Sequence, residues 1–304
     1  MARPADPVRL MDIVVTEPLL ARSPRVSSRW NRILRQFTRN RLAVAGTIIL
    51  VFLGVIAVFG PFLVADPRAQ DVPNRFERPS WEHWFGTDEL GRDILARTVN
   101  GARISLASAL AAVAVALTIG TTIGLIAGYL EGKAGLWLMA LIDLLLAIPA
   151  ILLAITLAAR LGPGLTSAMI AAGLVGLPAY ARLARGAALQ VKRQEFVTAA
   201  QVTGLTRAGI IRTHIFPNIL TPVIIQATIG VGNAILLVSA LGYLGVGAQP
   251  PTPEWGRMLS DAQKFILTEP YIAIFPGVAI ALTVIGFNLA GDGLRDAFDP
   301  VVKR

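Results

Sequence analysis

Six long apolar runs, at approximately residues 42–64, 104–130, 136–159, 165–181, 219–247 and 271–291, constrain this chain more than any other feature. Crossing a hydrocarbon core roughly 30 Å thick takes about 20 helical residues at 1.5 Å each. The runs are near that length, the fourth being the shortest. Inside lipid every backbone N–H and C=O must be satisfied within its own segment, which leaves helices as the natural solution for such runs. The expected fold is therefore all-α, a polytopic membrane protein with six transmembrane helices. A chain that is 54% hydrophobic and 15% charged is far from the soluble average. Because many helices pack into one membrane unit, a single membrane domain is expected from the 304 residues.

Charge sets the expected orientation. Residues 1–41 carry nine arginines against Asp6, Asp12 and Glu17, with Arg29, Arg32, Arg35, Arg39 and Arg41 crowded beside the first run. By the positive-inside rule that end is cytoplasmic. Residues 65–103 hold six arginines against seven acids and are expected outside, whereas 182–214 hold six basic residues against Glu195 alone and are expected inside. Loop 248–270, with Arg257 and Lys264 against Glu254, Asp261 and Glu269, falls outside. Six crossings then leave both termini cytoplasmic. The net charge of +9 is concentrated beside apolar runs, so it indicates a membrane flank rather than nucleic-acid binding. The first run starts too far from the terminus for a cleaved signal peptide and reads as a retained helix.

Several chemistries are excluded. With no cysteine there are no disulfides, thiolate nucleophiles or cysteine-ligated metals. No metal site is expected, because the two histidines, His83 and His214, fall on opposite sides of the membrane. A phosphate loop is missing: Gly132-Lys133 is followed by Ala134, and Ala127 stands where the upstream glycine is needed. The chain does not hydrolyse ATP itself, and it lacks the nucleophile, base or metal cluster of a membrane-anchored enzyme. A stand-alone secondary transporter would show inverted repeats or charged relays within its spans, and neither is visible.

Within the runs, Gly120, Gly124 and Gly128 form two overlapping Gly-x-x-x-Gly pairs, a spacing that permits close helix approach and also occurs by chance. Pro149, Pro178, Pro222 and Pro276 are expected to kink their helices. Asp143 is the one acid well inside a span, where an unpaired charge costs about 2.5–3.5 kcal/mol on insertion scales. It has two readings, a structural or subunit-interface hydrogen bond and a proton relay. The first is favoured, since no second titratable group is seen in the spans. Gln226, Asn233, Ser239 and Asn288 place uncharged polar groups at membrane depth. They suit either a translocation path of weak contacts or interhelical hydrogen bonds.

Between the fourth and fifth runs the pattern changes. Phe196, Ala199, Ala200 and Thr203 follow helical spacing and form a narrow face of mostly small residues. Gly204 is placed to stop this helix and Pro217 to prevent smooth continuation into the next span. On pattern alone the segment is either a helix lying on anionic lipid, favoured by Arg182, Arg185, Lys192, Arg193, Arg207 and Arg212, or a surface that another protein approaches closely.

The spacing of Ala199, Ala200, Gly204 and Pro217 resembles the cytoplasmic Glu-Ala-Ala loop of importer-type ABC permeases, the loop that docks on a separate ATPase. Three marker positions depart from that pattern: Thr198 stands for Glu, His214 for Ile and Phe216 for Leu. Glu195, one turn before Thr198, is a substitute for the missing acid. The segment Gly86-Thr-Asp-Glu-Leu-Gly-Arg-Asp-Ile-Leu-Ala-Arg-Thr-Val-Asn-Gly-Ala-Arg-Ile-Ser-Leu106 resembles C-type permease subunits of dipeptide, oligopeptide and nickel importers. So do Arg39-Asn-Arg-Leu-Ala43, a His214-Ile-Phe-Pro217-Asn218 run and the ending Phe287-Asn-Leu-Ala-Gly-Asp-Gly-Leu-Arg-Asp-Ala-Phe-Asp-Pro300. The resemblance covers about residues 30–300.

That resemblance implies a type I ABC importer permease in the bacterial cytoplasmic membrane. It also implies a related B-type permease, two ATPase subunits carrying ATP and magnesium, and an extracytoplasmic substrate-binding protein. No cofactor is expected on this chain. The solute would be a peptide, with nickel or another small solute as the alternative. The implied division is a basic tail at 1–41, a first helix and outer loop at 42–103, a five-helix core at 104–291 with its coupling loop at about 182–217, and a tail at 292–304. Thr87, Asp88, Arg92, Asp93, Glu254 and Trp255 are candidates for contacting the binding protein, or else for building the outer interface.

Overall fold

Residues 29–130 and 132–298 are described by the computed structural model. The first 28 residues of the basic tail and the end of the C-terminal tail from residue 299 lie outside them. Asn40 separates two helices, α1 (Arg29–Arg39) and α2 (Arg41–Phe59), and caps the second by accepting from the N–H groups of Leu42 and Ala43. After an irregular segment come α3 (Ile94–Leu130), α4 (Gly132–Leu146), α5 (Ala150–Leu161) and α6 (Leu165–Lys192). There follow α7 (Glu195–Val202), α8 (Arg207–Ile210), a π-helical turn Ile211–Ile215, α9 (Phe216–Tyr243), α10 (Trp255–Ala262) and α11 (Tyr271–Phe298). Among the described residues the only β pairing is a single bridge between Thr87 and Asp93.

Five helices are long and apolar enough to cross a membrane, or six if the bent pair α4–α5 is one span. The expected third span is that pair, turned by 91° across Ala147-Ile148-Pro149. Pro149 sits at the N-cap of α5, where its missing N–H costs nothing, so the helix restarts in a new direction. Pro178, Pro222 and Pro276 lie inside continuous helices.

The tightest seam joins α3 to α6, and the glycine ladder builds it. A Cβ added at Gly120 would lie 2.7 Å from the Leu177 carbonyl oxygen, one at Gly124 2.1 Å from that of Ala181, and one at Gly128 2.8 Å from that of Arg185. The opposing stripe on α6 is itself small: Ala181, Ala184 and Ala188 are fully buried. Two backbones can approach this closely only when one side lacks Cβ atoms, which settles the purpose of the glycine spacing. A second seam joins α2 to α11 through Gly46, Gly286 and Gly293.

Chain direction alternates through the bundle. The end of α2 touches the start of α3, where Gly60 meets Val99. Lys192, ending α6, donates to the carbonyl of Tyr129 near the end of α3 at 2.7 Å. On the opposite face, Gly164 before α6 donates to Val246 after α9, and the Trp255 indole of α10 donates to the Thr98 carbonyl of α3. The start of α2 and the end of α11 are tied by Gln36 and Asn40 bonding to Asp296. Both described ends therefore lie on the face that carries α7.

Candidate functional site

At the face carrying α7, the loop between the fourth and fifth crossings is held by its own small core. Val197 and Ala200 of α7 pack on Ile210, Ile215 and Ile219 and on Leu125, Tyr129, Ala184 and Ala188 of α3 and α6. The helix ends in a left-handed residue, Gly204 at φ +82°, with its N–H on the Gln201 carbonyl and that of Leu205 on the Ala200 carbonyl. Thr206 then caps α8 by accepting from Gly209. The expected narrow face is split: Ala200 turns inward beside fully buried Val197, while Phe196, Thr198, Ala199 and Thr203 stay exposed with Glu195. Val202 is 84% exposed and with Leu205 and the open side of Phe196 leaves an exposed apolar tip.

Pro217 does not interrupt the helix as expected. It occupies the first turn of α9, and the preceding π turn carries the helical path through from Arg207 to Tyr243. The π turn just before it lets the helical path pass a residue that has no N–H to donate. His214 is half-buried: its Nδ1 lies 2.6 Å from the Thr213 hydroxyl, its ring stacks against Phe196, and its carbonyl accepts from Asn218. Phe216 and Pro217 are exposed beside it.

Between α3, α5, α6 and α9 lies a cavity of about 470 Å³ lined mainly by alanine, glycine, valine and leucine. Gln226 and Asn233 line it, as does Tyr180, whose buried hydroxyl has no hydrogen-bond partner among the described residues. The two other polar residues expected there are elsewhere. Ser239 bonds to Glu254 at the far face, and Asn288 of α11 stands against Gly232 in the α9–α11 seam. Asp143 is not the lone buried acid the sequence suggested. It is exposed on α4 and paired with Arg182 of α6, whose Nη2 and Nε both donate to its Oδ1, at 2.7 and 3.1 Å. The sequence groups Arg182 with the loop because the apolar run ends at residue 181, whereas the helix continues to Lys192.

The far face holds a buried polar network. Glu254, fully buried, caps α10 by accepting from the N–H groups of Gly256 and Arg257, and receives the hydroxyls of Ser105 and Ser239. Burial pushes its carboxyl above the ordinary value of 4.5, against the pull of those hydrogen bonds. Asp88 accepts from Arg92 Nε at 2.7 Å and lies 3.5 Å from Arg97 Nε, and Asp261 faces Arg92, Arg97 and Arg257. Asp93 starts α3 by accepting from Ala96 and pairs with His83 at 2.7 Å. Thr87 bonds the Asn74 carbonyl, and the Trp255 N–H donates to Ser105. Five of the six residues offered as docking contacts, Thr87, Asp88, Arg92, Glu254 and Trp255, are at most 5% exposed. The correction is physical: these side chains are consumed in binding the 86–97 segment to α10, and present no surface themselves. Arg97, Ser105 and Asp261 belong to the same network, and pairing across 149 residues or more leaves no local signal.

A multi-helix bundle of membrane-spanning length, with a clamped loop helix at one face and a cavity between its helices, fits a transport permease, and the comparisons with known proteins give that class. The profile for the "binding-protein-dependent transport system inner membrane component" family matches residues 120–304, and that for the "N-terminal TM domain of oligopeptide transport permease C" matches 28–79. The chain is 48% identical over 277 residues to the dipeptide transport system permease protein DppC of Alkalihalophilus pseudofirmus, covering 91% of each. It is 40% identical to a probable D,D-dipeptide transport system permease protein of Escherichia coli, covering 95% of this chain and 98% of the relative. It is 41% identical to an Escherichia coli glutathione transport system permease protein, covering 93% and 94%. Among solved structures, an inward-facing MetNI methionine ABC transporter chain shares the fold, with TM-score 0.56 and 19% identity over 67% of this chain and 97% of that one. The chain belongs to the inner-membrane component family of binding-protein-dependent transport systems. It is a multi-pass inner-membrane protein and a permease subunit rather than an enzyme.

Proposed function

We propose that this permease subunit imports peptides, and that α7 with the exposed residues around it is the surface pushed by a separate ATPase. The observation that carries the reading is the loop helix itself: α7 is fixed from beneath by Val197 and Ala200, yet leaves Phe196, Ala199 and Val202 uncovered. A lipid-lying helix would need no such rigid underside. Glu195, Thr198, Gly204, His214, Phe216 and Pro217 shape this surface, with Glu195 the acid available to a basic partner. Closure of two ATP-loaded subunits against it would tilt α6 and α9 and reopen the cavity toward the other side.

Peptide import rests on the names of the relatives, which print dipeptide, D,D-dipeptide and glutathione transport. Nickel or another small solute through the same machinery is the alternative. The reading places the loop face and both chain ends in the cytoplasm, with the basic tail at 1–41, the first helix and outer loop at 42–103, the core at 104–291 and the second tail at 292–304. A B-type permease, two ATPases with ATP and magnesium, and an outer binding protein complete the assembly. The far-face network of Thr87, Asp88, Arg92, Asp93, Glu254 and Trp255 then acts as the scaffold beneath the surface where the binding protein lands. Reconstitution of this chain with its partners into liposomes tests the reading. ATP-dependent accumulation of a labelled dipeptide is expected, and accumulation of nickel but not dipeptide would select the alternative.

A further inference from the structure

Arg182 and Asp143 are the one ion pair among the described residues that joins two of the membrane-crossing segments while remaining half open, with 57% and 49% of their side chains exposed. Arg182 stands 17 residues past the start of α6, about 25 Å along its axis, and so within the cytoplasm-side third of a core roughly 30 Å thick. Two charges there are poorly suited to face lipid. Both guanidinium contacts fall on Asp143 Oδ1, and no hydrogen bond from a described residue reaches Oδ2 or Arg182 Nη1.

The pair also adjoins the central cavity, although neither of its side chains lines it. Ala179, one turn before Arg182, lines the 470 Å³ cavity with Gln226, Asn233 and Tyr180, a residue 3% exposed whose buried hydroxyl has no hydrogen-bond partner among the described residues. Gln226 also lines a second groove of about 450 Å³, which includes Leu183, Thr221 and Arg295. On α6, Ala179, Arg182, Gly186 and Gln190 are exposed at three- to four-residue steps, forming one open stripe toward the loop face.

From this arrangement we infer that Asp143 and Arg182 form a solute-contact site at the inner mouth of the path, suited to the two opposite termini of a zwitterionic solute. Arg182 takes a carboxylate through its planar fork and Asp143 takes an ammonium, so the pair opens to admit the solute and closes behind it. Each partner satisfies the other when no solute is present, which keeps the site from trapping what it passes. This inference rests on the peptide-import reading above.

The chain's lack of cysteine makes a direct test possible. Single cysteines at Ala179 and Gly186 are placed in the assembled transporter in inside-out membrane vesicles and treated with a charged, membrane-impermeant thiol reagent. Both are expected to react. Millimolar alanyl-alanine should slow the reaction at Ala179→Cys about tenfold, while its N-acetylated, C-amidated form should not. In an Arg182→Gln background the protection should vanish. The exchanged pair Arg182→Asp with Asp143→Arg keeps the interhelical contact, so its protection by alanyl-alanine separates contact with solute from mere folding and is expected to persist at reduced strength. Unreactive cysteines, or equal protection by free and blocked peptide, would overturn the assignment. ATP-driven alanyl-alanine uptake by the unsubstituted transporter is measured in parallel. Uptake without differential protection rejects the site and leaves the import reading standing, and absence of uptake rejects both.

Discussion

Replacing Gly124 by alanine adds a single methyl group, and the structure fixes where it goes. Its carbon would lie 2.1 Å from the Ala181 carbonyl oxygen and 2.8 Å from the carbonyl carbon, both main-chain atoms that cannot rotate away. An unstrained contact needs roughly 3.5 Å, so α3 and α6 would separate by more than about 1 Å. Overpacking of this kind costs about 1–3 kcal/mol, and a backbone obstacle puts Gly124 at the upper end. Opening the seam also weakens its neighbours, since Gly120 and Gly128 meet the same helix. The companion is Gly54→Ala on α2, where a new Cβ meets nothing within 4 Å and the gain in helix propensity is up to about 1 kcal/mol. The chain purified in mild detergent is heated and its monodisperse fraction followed by size-exclusion chromatography. Gly124→Ala should lose roughly 5 °C or more of midpoint, and Gly54→Ala none. A Gly124→Ala protein as heat-resistant as the parent would refute the seam.

Other expectations follow from the far face and the loop. Because burial raises the Glu254 carboxyl above 4.5, the folded chain binds that proton more tightly than the unfolded chain. Stability should therefore fall as pH rises above 4.5, and Glu254→Gln should flatten that slope when protection of α10 amides is followed by hydrogen exchange. Arg92→Ala removes the nearer of the two guanidinium groups on buried Asp88, leaving Arg97 at 3.5 Å, and should cost about 3 kcal/mol, the low end for breaking a buried pair, seen as loss of folded protein after detergent extraction. Ser105→Ala removes a donor to Glu254 and the acceptor of the Trp255 N–H, and should cost about 1–3 kcal/mol in the same assay. Gly204→Ala meets open space but must hold φ at +82°, so a backbone cost of about 1–2 kcal/mol should appear as faster proteolysis between α7 and α8.

Much of this architecture is legible in the sequence because lipid permits so few solutions. Apolar length alone places the five long helices and the bent pair α4–α5, and the glycine spacing on α3 announces a close approach without naming its partner. What escapes is whatever depends on where two distant segments meet. Nothing local distinguishes Pro149, where the helix turns, from Pro178, where it continues. Hydropathy ends the fourth crossing at Arg182, yet Ala184, Ala187 and Ala188 keep the helix going, and so the partner of Asp143 was counted as loop charge. On the far face, balanced acids and arginines resemble a solvated loop. Only the fold shows that Asp88, Arg92, Arg97 and Asp261 face one another inside it. In the loop motif the two alanines, the glycine and the proline occupy different structural places, Ala200 inward, Ala199 outward, Gly204 left-handed and Pro217 in the first turn of α9, which spacing alone does not separate.

The central claim, that α7 presents a docking surface for a separate ATPase, is tested most directly by affinity purification from mild detergent. The intact chain is compared with Val202→Asp and Ala199→Asp, both on exposed positions whose substitution leaves the underlying Val197 core untouched. The account predicts that the intact chain brings down a second permease and phosphate-loop ATPases, and that each variant keeps the permease but loses the ATPases. ATPase recovery unchanged by both variants would contradict it.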